Sequence, residues 1–258
     1  MGGVTSRRIA LVTGASRGIG AAIARALAPD FDLALSARTA AALGATAEAT
    51  RSLGARVHEL AADLATPGGP AALLQQIQAA GLTIDVLVNN AGVAPAGPLA
   101  RIDDETWART LAVNLTAPFV LTRALAPDMA RRGYGRVIHI ASTSALKGYR
   151  LTAAYSASKA GLLGLTRAVA AELAGRGVTV NAVCPTFTDT DIVARAAADV
   201  AARTGSDPAE ARRSFASFSP QGRLLDPDEV ASLVAYLASD AARGIHGQAL
   251  AIDGGETA

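Results

Sequence analysis

The sequence predicts an α/β fold built on a single doubly wound parallel sheet, with about seven strands and helices on both faces. Two observations carry this prediction. Short apolar runs alternate with longer segments of helical periodicity, and most of the short runs are almost continuous Val, Ile, Leu or Ala. Strands buried on both faces have this composition, and right-handed crossovers between parallel strands place helices on both sides of the sheet.

The apolar runs give the expected strands, which are Ile9–Val12, Asp32–Leu35, Val57–Leu60, Ile84–Val88, Arg136–Ile140, Val178–Val183 and Gln248–Ile252. The segments between them give the expected helices, at about Ile19–Ala28, Ala40–Leu53, Pro70–Ala79, Asp104–Arg132, Ala153–Ala174 and Pro227–Ala238. No Pro-, Gly- or Ser-rich linker divides the alternation. Residues 1–258 are therefore predicted to form one domain rather than two small ones.

The stretch Thr186–Gly222 breaks the strand–helix alternation before the last helix and strand. Its pattern predicts small helices, and it contains several phenylalanines. A long irregular insertion in a compact domain is usually functional. We therefore expect residues 186–222 to form a lid over a substrate.

The composition excludes several classes of protein. Half of the residues are hydrophobic, the net charge is only +2, and no Lys/Arg run marks a nucleic-acid or membrane surface. Met1–Ser6 and Arg7-Arg8 formally match acylation and twin-arginine signals, but the apolar run after them is better explained as a first strand. The single cysteine, Cys184, excludes an intrachain disulfide. We expect a cytoplasmic protein that binds neither nucleic acid nor membrane.

A glycine-rich turn follows the first strand and predicts a Rossmann-type dinucleotide site. Thr13-Gly-Ala-Ser-Arg-Gly-Ile-Gly20 joins that strand to the first helix, with GxxxGxG spacing. We expect Gly14 to form the tight turn, Gly18 to let the backbone approach a pyrophosphate, and Gly20 to let the helix pack closely on the strand. The helix N-terminus would then bind the phosphates. The other loop residues expected to contact the cofactor are Ser16, Arg17 and Ile19.

The end of the second strand indicates which dinucleotide is bound. An acidic residue there would bind the ribose diol of NAD, whereas an arginine accommodates the 2′-phosphate of NADP. The chain has Ser36-Ala37-Arg38, and Arg17 is expected nearby. Two guanidinium groups can bracket a phosphate with charge-assisted hydrogen bonds. The sequence therefore favours NADP(H) over NAD(H), unless Arg38 merely flanks the next helix.

Two further strand ends complete the expected cofactor site. Asp63, with Leu64 beside it, follows the third strand and is placed to meet the adenine edge. Asn89-Asn90-Ala91-Gly92 closes the fourth strand. Asparagine side chains can join neighbouring strand ends, and Ala91 and Gly92 would keep the surface flat for a cofactor. Taken alone, this motif could equally be an ordinary strand-end turn.

A tyrosine and a lysine spaced for one helix face suggest proton transfer. Tyr155 and Lys159 are four residues apart in a helical pattern. An adjacent ammonium favours the phenolate, so we expect Lys159 to lower the pKa of Tyr155. Ser142 follows the fifth strand, where ligands bind in such folds, and can hold a substrate oxygen beside the tyrosine. Asn114 lies within a long helical run, where asparagine often marks a distortion or a polar task, such as holding a water that connects Lys159 to solvent.

Together these motifs resemble the short-chain dehydrogenase/reductase (SDR) family over essentially the whole chain. The motifs that carry the resemblance, in family order and spacing, are Thr13–Gly20, Asn89–Gly92, Asn114, Ser142, Tyr155–Lys159 and Asn181–Pro185. The resemblance implies that Tyr155 is the general acid/base and Ser142 the substrate anchor. It also implies that Lys159 binds the nicotinamide ribose and tunes Tyr155, that Asn114 supports a proton relay, and that Tyr155 and Lys159 both touch the cofactor.

The chain departs from the family pattern after the sixth strand. The family usually has Pro-Gly there, whereas this chain has Pro185-Thr186. Threonine has no easy access to positive φ, so the loop over the nicotinamide is expected to follow a different path. Pro185, Thr188 and Thr190 remain expected cofactor contacts, and position favours Thr190 for the hydrogen bond.

The resemblance within the family is strongest to 3-oxoacyl thioester reductases. It implies an NADP(H)-dependent reductase of a small-molecule ketone, either free or carried on CoA or acyl carrier protein. Arg176 matches a position where such reductases dock the carrier protein, and Arg131-Arg132 lie close to a second docking position. A secondary-alcohol or hydroxyacyl dehydrogenase working oxidatively, and a catalytically silent nucleotide sensor, are the alternatives. Helices apolar on more than one face favour a homo-oligomer, a dimer or tetramer. The three histidines have no partner at metal-ligand spacing, so no metal is expected.

Overall fold

The computed structural model describes residues 7–258, and the formal acylation pattern Met1–Ser6 lies outside them. Seven strands form one parallel sheet in the order β3-β2-β1-β4-β5-β6-β7. Their bounds are Ile9–Thr13, Asp32–Ala37, Val57–Ala61, Ile84–Asn89, Gly135–Ile140, Val178–Pro185 and Ala249–Ile252 for β1 to β7. The predicted strands are confirmed, with end shifts of one or two residues.

Helices cover both faces of the sheet. They are Gly18–Leu27, Gly44–Ser52, Gly69–Ala79, Asp104–Leu111, Ala117–Arg132, Ala153–Leu173, Asp191–Thr204, Pro208–Ala216 and Pro227–Ala238 for α1 to α9. Helices α1, α2 and α9 pack with alternate strand residues into one core, and α3, α5 and α6 pack with the intervening residues into the other. The period-2 alternation of each buried strand supplies both cores. The doubly wound α/β prediction is confirmed.

The strand order reverses at β1, which lies between β2 and β4. Crossovers leave β1 in opposite directions on its two sides, so the loops after β1 and β4 separate and open a crevice at the carboxyl edge of the sheet. Ligands of doubly wound sheets bind at this point. The glycine-rich turn follows β1 and the Asn89–Gly92 motif follows β4, which places both at the crevice.

The long helix expected over Asp104–Arg132 was wrong as a single α-helix. A wide π turn at Ala112–Thr116 separates α4 from α5. Pro118 has no N–H to donate to the Asn114 carbonyl four residues earlier, and the Asn114 side chain bonds outside the helix. Similarly, the expected helix Ala40–Leu53 begins as a 3-10 turn at Ala40–Leu43 before α2.

The segment 186–222 contains two helices, α7 of 14 residues and α8 of 9 residues. Its start is tied to the chain beyond it, because Leu225 donates its N–H to the Phe187 carbonyl and its own carbonyl accepts from Asp189. Thr190 and Asp207 precede α7 and α8, and the Asp207 carboxylate caps two amides of α8. Among residues 7–258, no helix is long and apolar enough to span a bilayer.

Candidate active site

The glycine-rich loop depends on its glycines for geometry. Gly14 has φ +66° and Gly18 has φ +53°, a left-handed backbone that favours glycine. A Cβ on Gly14 would lie 2.8 Å from the Ala91 Cα, and a Cβ on Gly20 would lie 2.2 Å from the Gly14 carbonyl oxygen. Gly14 thus forms the tight turn and Gly20 the close helix–strand contact, as the sequence predicted.

The N-terminus of α1 is built to receive an anion. Arg17 precedes the helix in extended conformation and gives no side-chain cap, and the first turn contains no acidic residue. The first amides of any α-helix have no partner within it, and the helix dipole adds positive potential there. A phosphate of a dinucleotide fits this donor set. Ser16 is half-buried in the loop, and Ile19 packs its side chain against the core.

The two arginines expected at a 2′-phosphate differ in their surroundings. Arg38 is exposed directly after β2 and forms no ion pair with any residue in 7–258. Arg17 is also exposed, but its Nε lies 3.2 Å from the Asp191 carboxylate in the first turn of α7. The glycine-rich loop and the 186–222 segment are therefore joined by an ion pair that uses a predicted cofactor residue.

Asp63 and Leu64, the expected cofactor residues after β3, occupy different environments. The Asp63 carboxylate is exposed and accepts the Ala65 N–H at 3.0 Å, which shapes the turn after β3. Leu64 is buried with its side chain in the core shared with α3 and α5. Any contact of Leu64 with a cofactor must therefore come from its backbone.

The Asn90 side chain joins the ends of β1 and β4. Its Nδ2 donates to the Thr13 carbonyl at 2.9 Å and to the Gly14 carbonyl at 3.2 Å. The Thr13 hydroxyl in turn accepts the N–H groups of Asn90 and Ala91. This arrangement confirms the expected tie between strand ends and leaves Ala91 and Gly92 without side chains that would block the crevice.

Ser142 and Tyr155 meet at the carboxyl end of β5. Ser142 begins a 3-10 turn, and its Oγ accepts the Ser144 N–H at 3.1 Å. The Ser142 O–H remains a donor, and the Tyr155 oxygen lies within its reach. Burial raises the pKa of Tyr155, and a hydrogen bond with the Ser142 side chain lowers it in part. The structure brings both predicted residues together.

Lys159 does not tune Tyr155 here in the way that the sequence suggested. Its Nζ donates to the Ile140 carbonyl at 2.7 Å and lies 5.7 Å from the centre of the Tyr155 ring. Burial lowers the pKa of Lys159 to about 8. The pKa of Tyr155 is raised rather than lowered because burial is the largest contribution to it. Burial also lowers the pKa of the adjacent His139 to about 3, which keeps that imidazole neutral.

Asn114 holds the strand-four loop from the π turn. Its Oδ1 accepts the Val93 N–H at 2.9 Å, and its Nδ2 donates to the Val93 carbonyl at 2.9 Å and to the Ser158 Oγ at 3.0 Å. Both amide hydrogens are used, so the side chain keeps only one Oδ1 lone pair for a water. A Cβ on Gly92 would lie 3.5 Å from this Oδ1 and 3.7 Å from the Lys159 Nζ. The Asn114 amide and the Lys159 ammonium therefore both lie next to Gly92.

The loop after β6 accommodates Thr186 through a side-chain bond. Pro185 ends the strand, and Thr186 donates its hydroxyl to the Glu256 carboxylate. Thr188 is buried, and its hydroxyl bonds back to the Thr186 carbonyl. Thr190 precedes α7, with its methyl group 3.1 Å from the position of a Cβ on Gly18. Of the two threonines, Thr190 is the one that the structure places beside the glycine-rich loop.

Sequence reasoning missed three residues around Ser142 and Tyr155. Tyr149 donates its hydroxyl to Glu256, whose side chain is 1% exposed. Leu151, four residues before Tyr155, has φ +67° and is the only non-glycine residue in 7–258 with positive φ. Its exposed side chain lies just before the start of α6. The only sequence signal was a carboxylate after Gly254-Gly255, which is too common to be diagnostic.

Within residues 7–258, no group of three or more His, Cys, Asp or Glu side chains is arranged to hold a metal ion. The groups that the structure brings together at the site are hydroxyl, phenol, ammonium and amide groups. Donors at the glycine-rich loop suit phosphates, and the Ser142–Tyr155 pair suits a carbonyl or alcohol oxygen.

Comparison with protein families gives a match over nearly the whole chain. The family model described as enoyl-(acyl carrier protein) reductase matches residues 14–257. The chain is 39% identical over 254 residues to the 3-oxoacyl-(acyl-carrier-protein) reductase FabG of Escherichia coli (strain K12), covering 96% of each chain. It is 38% identical over 259 residues to the cis-4-hydroxycyclohexanecarboxylate dehydrogenase of Sinomonas cyclohexanicum, covering 100% of each.

Comparison with solved structures gives the same fold. A variant of actinorhodin polyketide ketoreductase, solved with NADPH, superposes with a TM-score of 0.91 at 37% identity, and the match covers 97% of each chain. These relatives include both reductases and a dehydrogenase, so they agree on carbonyl/alcohol chemistry and differ in the named direction and substrate.

Proposed function

The chain belongs to the short-chain dehydrogenase/reductase family of oxidoreductases, and we propose that it uses NADPH to reduce the ketone of a 3-oxoacyl thioester or a related β-keto substrate. The observation that carries this proposal is the cluster of Ser142, Tyr155 and Lys159 beside the glycine-rich crevice. The NADPH-bound neighbour and the 3-oxoacyl reductase relative support the cofactor and the substrate class.

The chain's own residues supply binding and proton transfer. A bound nicotinamide cofactor would supply the hydride. The α1 amides and Gly14, Gly18 and Gly20 would hold its phosphates, while Arg38 and Arg17 would meet a 2′-phosphate. Ser142 would turn its O–H from the Tyr155 oxygen to the substrate carbonyl oxygen, and Tyr155 would give that oxygen its proton. The raised pKa of Tyr155 keeps the phenol protonated at neutral pH, as a general acid requires.

Lys159 and Asn114 would support this step by returning a proton to Tyr155. Lys159 would bind the nicotinamide ribose and return a proton to Tyr155, with its pKa of about 8 close to neutral pH. Pro118 leaves the Asn114 carbonyl without its regular helical donor, so this oxygen and one Oδ1 lone pair can hold a relay water. The backbone of Asn114 is thus a better relay group than its mostly committed side chain.

The first test is turnover. NADPH oxidation should be observed with at least one member of a panel of β-keto CoA thioesters, free β-keto esters and simple ketones. Tyr155→Phe should lower kcat by about 100- to 10,000-fold, because it removes the general acid. NADPH affinity, measured by fluorescence titration, should change less than about twofold, since a ring of the same shape remains. Retained turnover in this variant would mean that the proton comes from another group.

The oxidative alternative is supported by the 38% identity to a hydroxy-acid dehydrogenase. The same panel, supplied as alcohols with NADP⁺, separates the two directions by kcat/KM. No turnover in either direction would favour the catalytically silent nucleotide sensor over both.

The second test concerns the cofactor. Arg38→Asp should raise the Kd of NADPH about tenfold or more and shift the preference toward NADH, because a carboxylate repels a 2′-phosphate and can bind a ribose diol. Arg243→Asp changes the same charge at an exposed position that precedes β7, at the amino edge of the sheet opposite the crevice, and serves as the control. If Arg38→Asp left the NADPH/NADH ratio unchanged, the assignment of the 2′-phosphate site would be wrong.

A further inference from the structure

A buried carboxylate near the C-terminus lies beside the substrate side of the site. The Glu256 side chain is 1% exposed and forms an ion pair with Lys147, whose Nζ is 3.2 Å from Oε1. Oε1 also accepts the Tyr149 hydroxyl, and Oε2 accepts the Thr186 hydroxyl. Glu256 therefore joins the C-terminal tail to the loop after β5 and to the end of β6. No step of the proposed hydride transfer uses it.

The tail is shaped to direct this carboxylate inward. Gly254 and Gly255 turn the chain with φ of +64° and +90°. The Asp253 carboxylate accepts the N–H groups of Gly255 and Thr257 and the Thr257 hydroxyl, which fixes the turn around Glu256. Burying a charge is costly unless it is paired and hydrogen-bonded, and here one ammonium and two hydroxyls meet that requirement.

Tyr149, which donates its hydroxyl to Glu256, also packs against a cluster of aromatic rings. The Tyr149 ring contacts Phe187 and Phe218 edge-on, with centroids 6.0 Å and 5.9 Å apart. Phe187 packs on Phe215 and Phe218, each at 5.0 Å. We call Tyr149, Phe187, Phe215 and Phe218 the aromatic wall. Its three phenylalanines come from the 186–222 segment, and Phe218 is 47% exposed, so the wall presents apolar surface to a ligand.

The wall also adjoins the substrate anchor. The Tyr149 hydroxyl lies 2.8 Å from the Thr143 Oγ1, and Thr143 directly follows Ser142. Thr186 immediately precedes Phe187, so the two hydroxyls bound by Glu256 belong to one residue of the wall, Tyr149, and to the residue just before another. A glycine at position 186 could not donate this bond. The departure from the family's Pro-Gly and the buried Glu256 are thus two parts of one arrangement.

We propose that Glu256 is a positioning residue for substrate specificity: by holding Tyr149 and Thr186, it fixes the aromatic wall against which the apolar tail of the carbonyl substrate packs. This inference rests on the proposed ketoreductase function. The ligand it implies is a carbonyl compound with an apolar chain beyond the reacting carbon. A small polar ketone would gain little from the wall.

The main experiment measures kcat and KM for two ketones that share a reacting group and differ only in having a short or a long apolar tail. Glu256→Ala should raise KM for the long-tailed ketone about tenfold. KM for the short ketone and for NADPH should change less than about threefold. Glu256→Gln should restore most of the affinity, because its amide can accept from Tyr149 and donate to the Thr186 oxygen. Glu48→Ala, an exposed glutamate on α2, is the matched control.

Thr186→Val and Tyr149→Phe each remove one hydroxyl with little change in shape. Each should raise the long-tail KM, and Tyr149→Phe combined with Glu256→Ala should be no worse than Glu256→Ala alone, because both act through one contact. Equal KM changes for the two ketones, full additivity, or a Gln variant as impaired as the Ala variant would overturn the proposal.

A readout without turnover separates this inference from the proposed function. If Glu256 fixes the wall, trypsin should cut the 186–222 segment at Arg195, Arg203, Arg212 or Arg213 several-fold faster in Glu256→Ala than in Glu48→Ala, since proteolysis follows local opening. Equal cutting rates in the two variants would overturn the proposal that Glu256 holds the aromatic wall in place. If wild type reduces no ketone, the proposed function fails, and proteolysis still decides whether Glu256 holds the wall.

Discussion

Lys159 bears an electrostatic penalty that follows from its burial. Its ammonium lies inside the protein with the Ile140 carbonyl as its hydrogen-bond acceptor, and burial lowers its pKa from 10.5 to about 8. The unfolded chain then holds the proton more tightly than the folded one. The buried charge therefore lowers the free energy of unfolding by its full amount below about pH 8. This destabilisation decreases as the pH rises from about 8 to 10.5.

Lys159→Met should consequently stabilise the protein and abolish its turnover. Removing the buried charge should raise the free energy of unfolding at pH 7 by about 1–3 kcal/mol, allowing for the lost hydrogen bond. Urea unfolding at pH 7 and again near the unfolded pKa measures this gain, which should shrink at the higher pH. A loss of stability at pH 7, or a gain independent of pH, would show that the lysine charge is not the source.

Single residues also show what local sequence could reveal. The Tyr155/Lys159 spacing and the Thr13–Asn90 tie were predictable, because a helix period or a strand end decides which side chains meet. The Glu256 contacts were not, since its partners Tyr149 and Thr186 are 107 and 70 residues away in sequence. Only the folded tail brings those groups together. The pKa direction of Tyr155 likewise depended on burial, which spacing does not report.

At the scale of elements, the ion pair between Arg17 and Asp191 couples the glycine-rich loop to α7. Both side chains are more than half exposed, so the pair is weak, worth about 0–1 kcal/mol. It nevertheless occupies a guanidinium that a 2′-phosphate would use. On the proposed assignment of Arg17 to the 2′-phosphate, NADPH would therefore compete with the carboxylate at the start of the 186–222 segment.

Asp191→Asn should lower the Kd of NADPH about two- to fivefold, because it frees Arg17. The Kd of NADH, which has no 2′-phosphate, should stay within about twofold. Asp189→Asn, which frees Arg212 in the same segment instead, is the matched control. Fluorescence titration of both cofactors with both variants measures this, and equal effects on NADPH and NADH would place Arg17 away from the 2′-phosphate.

The helix predicted over Asp104–Arg132 shows where apolar periodicity gives a wrong prediction. Apolar spacing predicted one helix across Asp104–Arg132, and the side chains do follow that spacing on both sides of the π turn. The interruption depends on Pro118, which lacks an N–H, and on Asn114, whose amide bonds to Val93. Both residues were visible in the sequence, but the partner that holds Asn114 lies 21 residues upstream. The break is therefore a tertiary effect, at the position for which we propose a role in the proton relay.

At the scale of the whole molecule, the neighbouring helices α4, α5 and α6 expose apolar and small side chains, and we call this surface the apolar face. Trp107 on α4 and Phe119 on α5 are 43% and 41% exposed. The exposed side of α6 carries small residues, Ala157, Ala160 and Gly164, which let another helix approach closely. Patches of this kind on soluble proteins usually mark protein–protein contacts. The face fits the homo-oligomer that the sequence predicted.

We therefore expect the 26.0 kDa chain to sediment as a dimer or tetramer, held in part by this face. Phe119→Asp should shift the equilibrium toward monomer at micromolar concentration, because it would bury a carboxylate in an apolar contact, and the neighbouring Arg123 would offset this cost only in part. Leu53→Asp makes the same change at an apolar side chain that is 47% exposed beyond α2, and it should leave the oligomer intact. Sedimentation velocity separates these outcomes. A wild-type monomer would leave the exposed apolar face without the expected partner, and equal dissociation by both variants would locate the contact elsewhere.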